Sequence, residues 1–382
     1  MRAIRAGLAL MLATMLAACS SSNIPSPKPL PVNPRQVTVQ ADWSVDAGGG
    51  GGDQLLGLAP DASDGMVVAA GAGGRIVSVN AKNGHTKWSR HIKARLSGGP
   101  AIAGGLIALG TRSGDVIVVN ADTGKTQWTH YVGSPVIASP AIGGGLVVAN
   151  TLAGDLVALD AKTGNEKWRQ ENNSPPLSLR TATRPLIVDG VAYGGFADGK
   201  AMAVAMDNGK QLWLKQIAVG QGGNLVADMV DAGRQMAYAG GDLYVATYQG
   251  NLSALVASSG QEIWSRKLSS YTGVTADAAH LYVSDAEGRV HAYDLVTGVP
   301  VWTYDKLGYR DLSGAVSYGS MVVAGDRFGF LHFLDRNTGK YLGRIHMDEG
   351  AIRMAPIVVG NRLIVLSVGG ELAAYQASAK GK

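Results

Sequence analysis

Histidine and carboxylate side chains are the groups in this chain that could bind a metal ion or transfer protons. The seven histidines occupy different positions along the sequence, and none lies at a metal-ligand spacing from another His, Asp or Glu: His85, His91, His130, His280, His291, His332 and His346. The spacing therefore predicts scattered histidines and no metal site.

Two other patterns resemble catalytic motifs but belong to turns. Gly124-Lys125-Thr126 is like the end of a phosphate-binding loop, yet Val119 stands where that motif needs its earlier glycine. Asp155, Asp160 and Asp294 fall at turn positions, where a carboxylate caps backbone N–H groups. We expect no catalytic residue and no cofactor, although the sequence leaves open a triad assembled from distant segments.

Cys19 is the only cysteine, and its setting indicates covalent modification. Residues 1–18 carry Arg2 and Arg5 and then an apolar run ending in Leu-Ala-Ala, too short for a bilayer span of about 20 residues. This resembles the bacterial lipobox, in which the thiol after the cleavage point receives diacylglycerol. We therefore predict a lipoprotein signal at 1–18 and lipid attachment at Cys19. By the same resemblance, Ser20, the residue after the lipidated cysteine, favours export to the outer membrane over retention in the inner membrane.

Residues 19–35 should form a tether between the lipid and the folded domain. Five prolines lie among serine and asparagine, a composition that predicts an extended segment without a packed core: Pro25, Pro27, Pro29, Pro31 and Pro34. The formal charge of +5 falls by two, to +3, without Arg2 and Arg5. So small a charge argues against nucleic acid as a partner.

A unit of about 40 residues recurs along the rest of the chain. Its clearest copy, residues 154–168 (GDLVALDAKTGNEKW), contains a strand, a turn with Asp at its head and Gly at its end, and a Trp four residues later. The turn glycines recur 38 to 51 residues apart: Gly84, Gly124, Gly164, Gly209, Gly260, Gly298 and Gly339. This period, with several strands per unit, is typical of a β-propeller.

Each unit predicts one four-stranded antiparallel blade. In one copy the strands are expected at Pro140–Ile142, Leu146–Ala149, Leu156–Asp160 and Glu166–Arg169. The last copy, from Gly370, lacks its fourth strand and Trp, and Val37–Trp43 is an unassigned strand that ends in Trp.

We therefore predict an all-β, eight-bladed propeller over residues 36–378, with a tail at 379–382. The N-terminal strand would complete the C-terminal blade and remove two exposed sheet edges. The tryptophans would each pack between blades rather than stack on a cofactor: Trp43, Trp88, Trp128, Trp168, Trp213, Trp264 and Trp302. A seventh copy carries Gly343 where the Trp should be.

Two insertions interrupt the period. Trp168 to Pro185 spans 17 residues, against 12 from Trp128 to Pro140, and a larger insertion lies between Trp213 and Gly241. Insertions in repeat proteins map to loops on one face, which is often the binding face.

The repeat frame, [ND]-A-x-T-G-x-x-x-W at Asn120 and Asp160 and in looser form at Asn80, resembles that of pyrroloquinoline quinone (PQQ) dependent alcohol dehydrogenases, which are eight-bladed propellers. The resemblance implies the fold. It does not imply the activity, because the chain lacks the vicinal cysteine pair and matches neither the quinone site nor the calcium site.

The lipobox, Pro-rich tether and eight repeats together resemble the BamB family of propeller lipoproteins. That resemblance implies a non-catalytic scaffold of the outer-membrane β-barrel assembly (Bam) machinery, lipid-anchored at the periplasmic face. The implied partners are the POTRA domains of BamA, other Bam subunits and, weakly, unfolded barrel precursors.

The resemblance also implies site residues. A Leu-Ser-Leu-Arg segment of that family contacts BamA, and Leu177, Leu179 and Arg180 match it. Leucines beside an arginine are typical of interface hot spots; the alternative is that they pack under their own blade. The family's Asp-x-Asp pair corresponds, with one extra residue between, to Asp228 and Asp231. Such a pair would hold Arg180 across the loops or meet a basic group of the partner.

Two other functions remain as hypotheses from the sequence. One is a reduced quinoprotein or other propeller oxidoreductase, and the other is a periplasmic propeller whose central channel binds a small ligand.

Overall fold

A computed structural model describes residues 25–49, 56–175, 177–179, 182–347 and 350–380. The regular elements within these ranges are strands. The described residues contain no helix that is long and apolar enough to cross a bilayer. Cys19 and Arg180 lie outside the described residues.

The first four sheets take the chain from residue 57 to residue 216. Their strands are β2 (Gly57–Leu58), β3 (Asp61–Ser63), β4 (Met66–Ala70), β5 (Arg75–Asn80), β6 (Thr86–His91), β7 (Leu96–Ala103), β8 (Leu106–Thr111), β9 (Asp115–Asn120), β10 (Thr126–Tyr131), β11 (Ala141–Gly143), β12 (Leu146–Asn150), β13 (Leu156–Asp160), β14 (Glu166–Gln170), β15 (Leu186–Val188), β16 (Val191–Gly195), β17 (Lys200–Ala205) and β18 (Gln211–Gln216).

The other four sheets use the C-terminal half and one N-terminal strand. Their strands are β1 (Val37–Asp46), β19 (Ala237–Ala239), β20 (Asp242–Ala246), β21 (Asn251–Val256), β22 (Glu262–Lys267), β23 (Thr275–Ala276), β24 (His280–Ser284), β25 (Val290–Asp294), β26 (Pro300–Tyr304), β27 (Val316–Tyr318), β28 (Met321–Gly325), β29 (Phe330–Asp335), β30 (Tyr341–His346), β31 (Ile357–Val359), β32 (Arg362–Leu366) and β33 (Glu371–Ala379).

These strands form eight antiparallel blades, which confirms the predicted propeller. Blades 1 to 7 begin at β3, β7, β11, β15, β19, β23 and β27 and use four consecutive strands each; β2 adds a short parallel pairing to blade 2. Blade 8 has the order β31-β32-β33-β1, so the N-terminal strand closes the ring as predicted. It pairs with β33 from Val37 opposite Ala379 to Asp46 opposite Glu371.

The second and third strands of each blade are buried on both faces because a neighbouring blade covers each face. In β13, Leu156, Val157, Ala158 and Leu159 are all fully buried. Each hydrophobic cluster joins two adjacent blades; one combines Val116 and Val118 of blade 2 with blade 3 residues such as Val147. A single blade therefore lacks a core of its own, as expected for a repeat architecture.

The tryptophans link each blade to the next. The Trp168 indole N–H donates to the carbonyl oxygen of Met206 at 2.9 Å, and the ring lies so close to Gly209 that a Cβ there would be 2.4 Å from the Trp168 Cβ. Gly209 also has a φ of +73°, so glycine is needed there for two reasons. Five other tryptophans donate to the next blade in the same way: Trp43, Trp88, Trp128, Trp213 and Trp302.

The Pro-rich segment is extended in its described part, residues 25–36, but it is held against the ring rather than detached. Lys28 N–H donates to Gly308 O at 2.9 Å, Arg344 Nη1 donates to Pro31 O at 2.7 Å, and Gln36 N–H donates to Leu342 O at 2.8 Å. Gly343 makes room for this path, because a Cβ there would lie 2.9 Å from the side chain of Val37. The missing tryptophan of blade 7 thus coincides with the passage of the N-terminal segment.

Candidate docking surface

The two insertions form loops on the same face of the ring. The first long loop (residues 171–185) joins β14 to β15, and the second (residues 217–236) joins β18 to β19. Both contact the turns between second and third strands: Ser174 Oγ donates to Leu152 O at 3.1 Å, and Gln249 Nε2 donates to Val226 O at 3.0 Å. These turns mark one face, which we call the loop face.

Hydrogen bonds join the two loops directly. The Leu179 N–H donates to Asp231 Oδ1 at 3.0 Å, Thr183 Oγ1 donates to Gly233 O at 2.8 Å, and the Arg184 N–H donates to Arg234 O at 2.9 Å. The described parts of the two loops (residues 171–175, 177–179, 182–185 and 217–236) are therefore held together, and we call their exposed side the docking surface.

The predicted leucines differ in exposure. Leu177 is 38 % exposed, whereas Leu179 is half-buried and is fixed through its backbone N–H. Arg180, the third residue of the motif, lies outside the described residues. Leu177 thus points its apolar side chain to solvent at the position where a partner contact is predicted.

The second long loop carries three exposed apolar residues that the sequence reasoning missed. Val219, Leu225 and Val226 are 72, 60 and 57 % exposed. A turn presents the last two, because Asn224 Oδ1 accepts hydrogen bonds from the N–H groups of Val226 and Ala227, both at 3.0 Å. The signal in the sequence was an apolar Leu-Val pair following glycines inside an insertion.

The two aspartates have different environments. Asp228 is exposed, and its Oδ1 accepts the N–H of Gly222 at 2.8 Å, which closes the turn. Asp231 is only 2 % exposed, and burial raises the pKa of its carboxyl to about 6, although the hydrogen bond from Leu179 opposes that shift. As the structure places them, Asp231 holds the loops together and Asp228 faces solvent.

Replacing Asp231 with asparagine should stabilise the protein at pH 8. A raised carboxyl pKa means that the native state loses stability as the pH rises from about 4 through about 6. Asparagine keeps the acceptor for Leu179 and carries no charge, so Asp231→Asn should gain about 2–3 kcal/mol at pH 8 and nothing at pH 4. Denaturant unfolding at both pH values measures this.

Asp228→Asn is the matched control, and its free energy of unfolding should stay within about 0.5 kcal/mol of the parent value at either pH. A loss of stability in Asp231→Asn at pH 8 would show instead that the charged carboxylate is paired in the native state.

Two of the histidines are not on the surface. His291 Nε2 lies 2.9 Å from Asp285 Oδ2 and its Nδ1 lies 3.0 Å from Thr303 Oγ1. In the next blade, His332 makes the equivalent contact with Asp326 at 3.1 Å, and its Nδ1 lies 3.0 Å from the Tyr341 hydroxyl, which comes from a different position of the fourth strand than Thr303 does. Each Asp precedes its His by six residues, a repeated spacing that could have been found in the sequence.

The order carboxylate, imidazole, hydroxyl resembles a catalytic triad, but the Asp–His pair is repeated at the same place in two blades, which indicates a structural role. His332 and Asp326 are fully buried, and Arg310 is bonded to the same carboxylate. No group of three or more His, Cys, Asp or Glu side chains suited to a metal occurs in the part of the chain that the structure describes.

A family model described as "Outer membrane protein assembly factor BamB" matches residues 72–304. A curated relative of that name from Pseudomonas aeruginosa is 43 % identical over 368 residues, covering 96 % of this chain and 97 % of the relative.

Among solved structures, BamB from Moraxella catarrhalis superposes with a TM-score of 0.81 at 27 % identity, over 89 % of this chain and all of that chain. The quinohemoprotein alcohol dehydrogenase from Comamonas testosteroni has a TM-score of 0.70 at 14 % identity, over 93 % of this chain and 78 % of that chain, and it shows a shared fold alone.

Proposed function

The chain belongs to the family of outer membrane protein assembly factor BamB, and on this basis we propose that it is a scaffold subunit for outer-membrane protein assembly that binds its partner through the docking surface. The observation that carries the proposal is the set of exposed apolar side chains on two loops that are hydrogen-bonded to each other. An exposed apolar patch of this kind marks a protein interaction site more often than a site for chemistry.

The partner we propose is the POTRA region of BamA. Leu177 and Leu225 would serve as apolar anchors that insert into pockets of the partner, which is how interface hot spots contribute most of their energy. Asp228 would meet a basic group of the partner at the rim, and Leu179 and Asp231 would hold the first long loop in position. Arg180 is proposed as a further contact from the family motif.

The wider setting is also proposed from the family. Residues 1–18 would be removed, the lipid on Cys19 would anchor the chain to the periplasmic face of the outer membrane, and residues 19–35 would lead to the ring at 36–378. Other subunits of the Bam complex and unfolded barrel precursors would be further partners, the latter weak and transient.

We propose no catalytic step for this protein. The two Asp–His pairs are occupied in linking strands within blades 6 and 7. The likeness to quinohemoprotein dehydrogenases, at 14 % identity, carries the fold and no activity to this chain.

Replacing Leu177 or Leu225 with aspartate should release the partner. A hot-spot residue contributes about 2 kcal/mol or more, so each variant should weaken binding of the purified BamA POTRA region by about 30-fold or more. Isothermal titration with the purified protein measures the affinity, and thermal unfolding should show an unchanged midpoint because both side chains are exposed.

Val296→Asp is the matched control. Val296 is 73 % exposed, but it lies in the turn between the third and fourth strands of blade 6, at the opposite face from the loops. It should bind like the parent. Parental affinity in both loop variants would remove the docking surface from the proposal while leaving the family assignment intact.

A further inference from the structure

Two cavities meet inside the ring near its axis. A cavity of about 310 Å³ lies beneath the docking surface and is lined by Leu179, Tyr248 and Tyr271 among others. A second, of about 130 Å³, lies among the segments that lead into the innermost strands, beside Ser139 and Thr272. Arg234 and Arg353 line both cavities, so the junction between them is formed by two guanidinium groups.

Arg234 is held rigidly at this junction. Its N–H donates to Tyr271 O at 3.1 Å, and its carbonyl oxygen accepts the N–H of Arg184 at 2.9 Å, so adjacent blades fix its backbone on both sides. In the side chain, Nη1 donates to Leu56 O at 3.0 Å and lies 3.3 Å from Met354 Sδ. Within the described residues, Nε and Nη2 of Arg234 have no hydrogen-bond acceptor.

Two carboxylates of the described residues lie close to the junction, and both are paired with other arginines. Asp61 forms an ion pair with Arg184 at 2.9 Å, and Asp311, which lines the larger cavity, forms one with Arg327 at 3.1 Å. Burial lowers the pKa of Arg234 to about 10, and the neighbouring charge of Arg353 lowers it further while Tyr271 opposes that shift. Arg234 itself has no carboxylate partner within the described residues.

Tyr271 supplies a second kind of donor to the larger cavity. Burial raises the pKa of its hydroxyl to about 12, so the group is protonated at neutral pH. A guanidinium offers two parallel N–H groups that match the oxygens of a carboxylate or a phosphate, and a phenol O–H can complete such a site.

We propose that this junction binds a small anion that carries phosphate or carboxylate groups, with the free N–H groups of Arg234 as its principal ligands. Cavities of this size admit a small molecule and not a folded partner. Leu179 lines the larger cavity, so a ligand there would contact a residue of the docking surface.

The test uses the whole soluble ring with two probes, inorganic phosphate and citrate, each against sodium chloride at equal ionic strength. At least one probe should raise the thermal midpoint and give a saturable titration curve, and which one binds more tightly distinguishes a phosphate from a carboxylate ligand. Arg234→Gln should weaken that binding at least tenfold. Arg234→Lys, which keeps the charge but loses the paired N–H groups, should give an intermediate affinity and serves if the glutamine variant does not fold.

Arg112→Gln is the control, because Arg112 is exposed and does not line either cavity. This variant should bind the probe like the parent. Equal binding to the parent and to the folded Arg234 variants would overturn the proposal. So would the absence of any saturable binding of both probes to the parent.

Discussion

Replacing Trp43 with alanine should lower the free energy of unfolding of the whole ring by about 3–5 kcal/mol. Trp43 is 9 % exposed, its indole N–H donates to Ala81 O at 3.2 Å, and its ring packs on Gly84 of blade 1. It belongs to β1, which is held in blade 8 only by strand pairing with β33 and leads along the chain into blade 1, so the Trp43 contact is part of the closure of the ring. Denaturant unfolding followed by circular dichroism gives the value.

Gln40→Ala is a control on the same strand, because Gln40 is exposed and its loss should change stability by no more than about 0.5 kcal/mol. Deleting Val37–Trp43 altogether should reduce both the midpoint and the cooperativity, because it opens the ring and exposes two strand edges. An alanine variant that unfolds like the parent would show that blades 1 and 8 do not depend on this closure.

Replacing Asp326 with asparagine should also lower the free energy of unfolding by about 3–5 kcal/mol. The Asp326 carboxylate is fully buried, lies 2.7 Å from Arg310 Nε, and also accepts hydrogen bonds from the N–H groups of Phe328 and Phe330. Arg310 is 6 % exposed, so the variant leaves a buried cation without its anion.

Asp46→Asn is the matched control for burial. Asp46 lies at the same 2.7 Å from its arginine, Arg75, but the two side chains are 67 % and 42 % exposed, and pairs near solvent contribute about 1 kcal/mol or less. Equal losses in the two variants would contradict the argument that burial decides the effect.

The same carboxylate should give the protein an acid-sensitive stability. Burial opposes ionisation, but hydrogen bonds from His332, Arg310 and the backbone outweigh it and lower the pKa of Asp326. A lowered carboxyl pKa contributes stability above the unfolded-state value near 4, and this contribution is lost as the pH falls below it. The difference in stability between the parent and Asp326→Asn should therefore shrink below pH 4.

The sequence was sufficient for the ring because one repeated constraint specifies it. Each Trp must meet a glycine of the next blade, and Trp168 on Gly209 shows why neither residue can change alone. The strand at Val37–Trp43 could be placed for the same reason, since it supplies the Trp and the fourth strand that the last copy lacks.

The parts that escaped prediction depend on contacts distant in sequence and outside the repeat. Gly343 is a visible departure from the repeat. The passage of the N-terminal segment over it could not be predicted, because Arg344 and Leu342 contact residues more than 300 positions away in the sequence. The exposure of Leu225 depends on a turn that Asn224 closes. The burial of Asp231 depends on the first long loop, whose Leu179 N–H donates to its carboxylate. An inserted loop has no repeat partner from which its side-chain directions could be inferred.

Hydrogen–deuterium exchange of the intact ring, with and without the purified BamA POTRA region, tests the docking surface most directly. We expect the POTRA region to slow exchange only in the two long loops and the adjoining turns of the loop face. Exchange in the outer strands of blades 1, 6 and 7 should be unchanged. Protection centred on those outer strands, with the loops unaffected, would contradict this expectation.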